Sequence, residues 1–185
     1  MECNQLIVSR RTITHFEDRP VPTAILQEMI AKAVWVPNHH VTQPWRFIVA
    51  GAHTIAQIAR IQYQQVLHAH AGQEYAEQIA QNKQARLEAV PALIIVLQQL
   101  ADNAKTREED FAAVSAAIYA MTLVAWQHQV GTAWKTGDLL KSPELRRFLG
   151  VPEDQRIVAM LWTGYPAEIS QKTRYNPEDL TQWLP

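Results

Sequence analysis

Two adjacent arginines and a threonine near the N-terminus form the first group of side chains that could bind a ligand. Arg10, Arg11 and Thr12 place two guanidinium groups and a hydroxyl within three residues, and such donors suit the oxygens of a phosphate. Two further cations, Lys172 and Arg174, stand in the C-terminal tail. Taken alone, each group also fits an ordinary solvated surface, so an anion site depends on support from other segments.

A loop bracketed by prolines is the second candidate segment. Residues 37–45 (PNHHVTQPW) place His39, His40 and Gln43 directly before an apolar run, and polar loops held on a rigid scaffold often carry functional side chains. Adjacent histidines rarely bind one ion, and no second cluster of metal-binding residue types has ligand spacing, so we predict no metal site. Gln43 is the predicted hydrogen-bonding residue, whereas Trp45 is predicted to pack in the core.

A segment with glycine at both ends, residues 131–137 (GTAWKTG), is the third candidate. Because glycine has no side chain, the backbone here can pass close to a flat or bulky group. The alternative interpretation is an ordinary connection from a strand to a helix.

Composition and motifs exclude several other classes of protein. The formal net charge of −1 gives no field that would attract nucleic acid or an anionic membrane, and no apolar run approaches the length that spans a bilayer. The single cysteine, Cys3, excludes an intramolecular disulfide and a cysteine-based metal cluster. The glycine-rich phosphate loops of nucleotide-binding folds and the hydrolase nucleophile motif are absent. The consecutive acids Glu108, Glu109 and Asp110 point in different directions on a helix and are predicted to be solvated.

The spacing of apolar residues predicts helices that alternate with strands and position these segments. Strands are predicted over residues 46–50, 92–97, 131–134 and 156–164. A short opening helix is predicted from Leu6, Ile7 and the residues before them, ending at the Arg10-Arg11 pair. Further helices are predicted around residues 25–34, 53–89 (two helices), 111–128 and 143–149, with a polar loop at 102–107. Since helices separate the strands, we predict an α+β or α/β sandwich with one central mixed sheet, forming a single domain over residues 1–185. The alanines of residues 112–120 suit close helix packing, either within one subunit or between two.

Taken together and in order, these segments resemble the FMN-dependent nitroreductase family. SRRTITHF resembles the family's opening Arg-Arg-Ser block, and VPNHHVTQPWRFIV resembles its Gln-Pro-Trp-Arg-Phe block. VGTAWKTG resembles the glycine-rich block after the central helix, and WTGYPAE followed by basic residues resembles the C-terminal strand and tail. The resemblance covers nearly the whole chain, and the QPWRF and GYPAE motifs are its most specific parts.

The resemblance implies a nitroreductase-like α+β sandwich that forms a homodimer with two FMN sites, each built from both subunits. It implies that Arg10, Arg11 and Thr12 hold the flavin phosphate and ribityl chain. Arg174, with Lys172, would complete the phosphate clamp. FMN carries close to two negative charges on its phosphate, which agrees with this group of basic side chains.

The resemblance also assigns residues to the flavin ring. Gln43 would hydrogen-bond its polar edge. Trp134, Lys135, Thr136 and Gly137 would line the isoalloxazine, with backbone N–H groups near its reactive nitrogen.

The chain departs from the common family pattern at three positions. Thr14 stands where many members have a basic residue near the flavin pyrimidine, Val41 replaces an asparagine, and Asn38 replaces a serine. His39 and His40 instead resemble a compact bacterial subgroup similar to the short YdjA-like reductases. By that alignment His39 would lie against the flavin, which makes it the candidate for a supporting catalytic role.

The resemblance implies an oxidoreductase in which NAD(P)H reduces the flavin and then a small electron acceptor is reduced over the same face. A nitroaromatic, a quinone or an activated alkene could accept. No separate catalytic side chain is assigned, because water or the flavin itself can supply protons. The alternative is a flavin-binding or interaction protein without reductase turnover. The first residues contain an early acid and no long apolar core, so we predict no signal peptide and a cytoplasmic protein.

Overall fold

The computed structural model describes residues 2–184, which form six α-helices and four β-strands. The helices are α1 (Cys3–Ser9), α2 (Thr23–Ala33), α3 (Ala52–Ala69), α4 (Ala76–Glu88), α5 (Ala104–Gln127) and α6 (Pro143–Phe148), and the strands are β1 (Trp45–Ala50), β2 (Ala92–Gln99), β3 (Gly131–Lys135) and β4 (Gln155–Gly164). Every predicted helix and strand is present. Among the described residues, no helix is long and apolar enough to cross a membrane.

The start of α5 differs from the prediction. Residues 102–107 were expected to form a loop, but the helix begins at Ala104, where the side chain of Asn103 accepts hydrogen bonds from the backbone N–H groups of Lys105 and Thr106. A capping asparagine satisfies donors that the first turn of a helix leaves unpaired. The cap therefore lets a polar segment join the helix.

The four strands form one sheet in the order β1-β2-β4-β3, and every neighbouring pair is antiparallel. The prediction of a mixed sheet was therefore wrong, although the α+β class is confirmed. β2 and β3 do run in the same direction, because the single helix α5 carries the chain back between them. They are not neighbours, since β4 lies between them and pairs antiparallel with both. The chain forms a parallel contact at the isolated bridge between Thr12 and Thr132.

Helices cover both faces of the sheet. Ile94 and Val96 of β2 pack with α2 and α5 on one face. Leu93, Ile95 and Leu97 pack with α3, α4 and α6 on the other. This double burial explains why β2 is apolar from Ala92 to Leu97, as is typical of a strand covered on both faces.

The N-terminal segment that follows α1 runs along the outer edge of β3. Ile13 is 2% exposed, and its N–H donates to the carbonyl of Thr132 at 2.9 Å. Further on, the N–H of Glu17 donates to the carbonyl of Tyr165 at 2.9 Å, beyond the end of β4. These contacts fix residues 10–12 beside the start of β3.

Candidate functional site

The outer edge of β3 is open beyond its contact with the N-terminal segment. In an antiparallel pair the backbone groups of successive residues point alternately toward the partner strand and away from it. Because the carbonyl of Thr132 points away from β4 and accepts from Ile13, the backbone groups of Trp134 point the same way. Among the described residues, no strand pairs with β3 on this side. The edge therefore presents backbone hydrogen-bonding groups to a ligand.

Arg10, Arg11 and Thr12 lie at one end of this edge, with different surroundings. Arg11 donates to the carbonyls of Val8 at 2.7 Å and Arg10 at 2.9 Å, so it closes the end of α1. The guanidinium carbon of Arg10 lies 5.7 Å from the ring centroid of Tyr119, and its Nε is buried without a hydrogen-bond partner. A buried donor without a partner is costly, so Arg10 is the residue of the three that most needs an acceptor.

Lys135, Thr136 and Gly137 lie at the other end of the edge and line a cavity of about 420 Å³ between β3 and the α3–α4 pair. Gly137 has a φ of 121°, a conformation that favours glycine. Trp134 is 39% exposed and does not line this cavity, because successive side chains of a strand point to opposite faces. The structure therefore brings together three of the four predicted ring-lining residues at this cavity, while the side chain of Trp134 faces the other way.

The loop before β1 has a strained backbone. His40, Val41 and Gln43 have φ values of 57°, 49° and 49°, and a β-branched residue such as Val41 rarely adopts this conformation. Asn38 holds the loop closed: its Oδ1 accepts from the N–H of Gln43 at 2.7 Å, and its Nδ2 donates to Oγ1 of Thr42 at 3.0 Å. A strained backbone of this kind persists only where contacts with the surrounding structure hold it in place, and such places are often functional sites.

Asp110 anchors the same loop from α5, which corrects the prediction that this acid is solvated. It is 3% exposed, and Oγ1 of Thr42 donates to its Oδ1 at 2.5 Å. Its neighbour Glu109 lies 3.9 Å from Nδ1 of His39. The sequence signal that was missed is helical phase, because Asp110 lies four residues before the buried Val114 on the inward face of the helix.

We expect Thr42→Val to destabilise the protein by about 1 kcal/mol, because it removes the hydroxyl that pairs with the buried carboxylate of Asp110. We expect the low end of the range because Thr42 itself is exposed, so a water molecule can take the place of its hydroxyl. Urea unfolding of the protein without cofactor measures the change. Thr42→Ser, which keeps the hydroxyl, is the control, and an unchanged unfolding midpoint for Thr42→Val would show that the contact contributes nothing.

The tail residues Lys172 and Arg174 are exposed and belong to no helix or strand. Arg174 donates to the carbonyl of Thr173 at 3.1 Å. The tail starts close to the N-terminal segment, because Nδ1 of His15 lies 3.1 Å from Oε1 of Glu168. Their assignment to the phosphate clamp stays a prediction.

The predicted site residues fall into two groups at opposite edges of the sheet. The residues around Arg10 and Lys135 lie along β3, whereas His39 and Gln43 lie in the loop that leads into β1. Three strand spacings separate β1 from β3, which is about 14 Å. In one chain the predicted residues therefore form two separate groups, which would be two half-sites if the predicted shared site exists. The two groups of residues do not meet at a metal site, because within residues 2–184 no three His, Cys, Asp or Glu side chains lie together as possible metal ligands.

A comparison with protein families matches residues 7–165 to the nitroreductase family. A relative from Bacillus subtilis, named "Putative NAD(P)H nitroreductase YfhC", is 34% identical over 93% of this chain and 88% of its own length. An Escherichia coli K12 relative, named "Putative NAD(P)H nitroreductase YdjA", is 27% identical over 100% of this chain and 98% of its own length.

Solved structures share the fold over the whole length. A nitroreductase-like protein from Bacillus cereus superposes with a TM-score of 0.86, is 26% identical, and covers 100% of this chain and 96% of its own. A structure described as a putative nitroreductase in complex with FMN, from Desulfovibrio desulfuricans, has a TM-score of 0.75 and 22% identity over 98% of this chain and 96% of its own. At that identity the second likeness is evidence for the fold alone.

Proposed function

The chain belongs to the nitroreductase family, and on that premise we propose that it is an FMN-dependent oxidoreductase that takes electrons from NAD(P)H. Its acceptor in this proposal is a small molecule such as a nitroaromatic, a quinone or an activated alkene. When bound, FMN supplies the hydride chemistry, and the protein contributes binding, orientation and electrostatics.

The side chains present suit FMN. Its phosphate needs strong donors, and Arg10 carries a buried Nε that lacks an acceptor within a segment that also offers the exposed hydroxyl of Thr12. Its flat ring needs a place where backbone can approach, and the end of β3 provides the glycine at position 137. Charge-assisted hydrogen bonds from guanidinium to phosphate are among the strong ones in proteins.

The observation that carries the proposal is that the Arg10–Thr12 segment and Gly137 flank one open strand edge, the outer edge of β3. From Thr132, which contacts the Arg10–Thr12 segment, to Gly137 the chain advances about 17 Å at strand spacing. A long, flat cofactor with an anionic end can lie along this edge, with its phosphate at the arginines. The outward backbone groups of Trp134 would then face the ring edge.

In this proposal the protein's own residues hold the flavin and its substrates in place, and none of them reacts. Lys135 places its ammonium 4.6 Å from the ring centroid of Trp162, and burial together with the nearby Arg86 lowers its pKa. No side chain at the β3 edge stands out as a general acid, so solvent supplies protons. His39, held near Glu109, is the candidate supporting residue from the opposite half-site.

We also propose a homodimer in which the loop of one subunit reaches the β3 edge of the other. The separation of the two half-sites favours this arrangement, since Gln43 and Lys135 lie at opposite sheet edges of one chain. An exposed face of α5 supports it as well: Phe111 is 41% exposed and Tyr119 is 39% exposed, beside the exposed Ala112. Large exposed apolar residues grouped on a helix commonly mark an interface.

We expect the protein to sediment as a dimer, and Ala112→Glu to shift it to monomers that lose FMN, because a carboxylate buried in an apolar contact is costly. Sedimentation equilibrium and the ratio of flavin to protein absorbance measure both effects. Ala24→Glu, on the exposed first turn of α2, is the matched control. A monomeric wild-type protein with one FMN per chain would contradict the shared site.

The direct test of the function is the absorption spectrum of freshly purified protein during reduction. We expect bound flavin to bleach rapidly on addition of NADPH or NADH without oxygen, and a nitroaromatic or quinone to restore the colour. Bound flavin that neither nicotinamide reduces would favour a flavin-binding protein without turnover. Colourless protein that takes up no added FMN would refute both. We propose the cytoplasm as its compartment, because NAD(P)H is available there and the thiol of Cys3 stays reduced.

A further inference from the structure

The cavity beside the end of β3 is lined by both apolar and cationic side chains. Leu139, Leu140 and Met160 are among the apolar ones, and the space of about 420 Å³ has the size of a site for a small organic molecule. Thr136 and Gly137 also line it. The cavity therefore adjoins the proposed position of the flavin ring.

The three cations that line the cavity are not neutralised by an ion pair within the described part of the chain. Lys83, Arg86 and Lys135 line the cavity, and none of them forms an ion pair within residues 2–184. The lining acid Asp138 has a side chain that is 89% exposed and lies 3.6 Å from Lys141. Burial and the like charge of the nearby Arg86 lower the pKa of Lys135, as expected for cations that share a partly buried space and repel each other. An anion in the cavity would relieve this repulsion.

Two buried polar atoms of the cavity lining also lack partners. They are Oε1 of Gln62 and Nε1 of Trp162, and Trp162 is 7% exposed. Only one other side-chain atom among the described residues is buried in this way, Nε of Arg10. Because buried polar groups almost always have a hydrogen-bond partner, these two atoms indicate a polar ligand. The indole N–H can only donate, so that ligand must offer an acceptor.

We propose that this cavity binds the electron acceptor, and that the acceptor is a small aromatic carboxylic acid whose ring also carries a nitro group, which takes the electrons. Its carboxylate pairs with Arg86 and Lys83, and its ring lies against the apolar side chains around Leu139. A neutral quinone or nitroarene would leave the cations uncompensated, so the cavity selects for negative charge. This inference rests on the proposed function, because it places the ligand next to the proposed flavin ring.

The test compares two probes of the same shape that differ in charge, 4-nitrobenzoate and 4-nitrobenzamide, with the FMN-loaded protein. Reduction of either nitro group to nitroso takes two electrons and two protons, from the hydride of NADPH and one solvent proton, and releases water. We expect a KM for the carboxylate about tenfold below that for the amide, as one charge-assisted hydrogen bond provides. Arg86→Gln should abolish this preference. Arg60→Gln, on the outer side of α3, should keep it.

Binding of benzoate, measured by calorimetry without turnover, tests the cavity separately from the reaction. If no acceptor is reduced but benzoate binds and Arg86→Gln weakens it about tenfold, the proposed function fails and the anion site stands. Equal KM values for the two probes together with no benzoate binding would overturn the inference. Two further results for the Arg86→Gln variant would also overturn the inference: loss of bound FMN, or weaker binding of NADPH with unchanged binding of the acceptor. In the first case the cations would hold the flavin, and in the second they would hold the phosphates of the donor.

Discussion

Arg10→Ala is expected to weaken FMN binding about 10- to 100-fold. A hydrogen bond to a charged group contributes about 1.5–3 kcal/mol, and each 1.4 kcal/mol corresponds to about a tenfold change in Kd. In the structure, Nε of Arg10 is buried and has no protein acceptor, whereas Arg11 already donates to two backbone carbonyls. The loss should therefore be larger for Arg10→Ala than for Arg11→Ala. Fluorescence titration of apoprotein with FMN measures both values.

Two controls separate this effect from a general loss of structure. Arg147→Ala removes an arginine on α6 whose side chain is 76% exposed and pairs with Glu144 at 3.1 Å. Arg147 does not line the cavity beside β3, so this substitution should leave FMN binding unchanged. Thermal unfolding of the Arg10→Ala apoprotein should stay near that of the parent, because the buried Nε of Arg10 makes no hydrogen bond within the protein. An unchanged Kd for FMN in Arg10→Ala would show that the phosphate lies elsewhere.

The sequence predicts the helices and strands well because apolar periodicity is a local property. The run from Ala92 to Leu97 is continuous because both faces of β2 are covered, and this pattern is visible without any partner. The direction of the strands is not local. β4 inserts between β2 and β3, and no residue of either strand shows in advance which strand becomes its neighbour.

The sequence predicts those parts of the candidate site that lie within short segments. It does not predict the parts that depend on which way a side chain points relative to the rest of the fold. The segments around Arg10 and Gly137 were found from residue types, and the structure places both along one edge. The burial of Asp110 and the outward direction of Trp134 depend on helical phase and strand pleat relative to the rest of the fold. The cationic cavity was missed because Lys83 and Arg86 lie on α4, which reads as an ordinary polar helix.

Gly131→Ala is expected to destabilise the protein by about 3 kcal/mol and to abolish FMN binding. A methyl group on residue 131 would lie 2.7 Å from Cβ of Ile13, much closer than two carbons can pack. Ile13 is buried at 2% exposure, and its Cβ is fixed to the backbone, so relief requires the N-terminal segment to move. Overpacking of this kind typically costs about 1–3 kcal/mol. The movement would also break the hydrogen bond from the N–H of Ile13 to the carbonyl of Thr132.

The matched control for this substitution is Gly51→Ala, because a methyl group there would meet no atom within 4 Å. Gly51 lies before α3 with a φ of −80°, which alanine adopts readily, so its cost should stay below about 1 kcal/mol. Urea unfolding compares the two variants, and FMN titration at low denaturant shows whether the flavin is lost with the segment. If Gly131→Ala were as stable as Gly51→Ala and kept its flavin, then the close approach of Ile13 to β3 would not be what positions Arg10. The phosphate site would then have to be built by the tail or by the partner subunit.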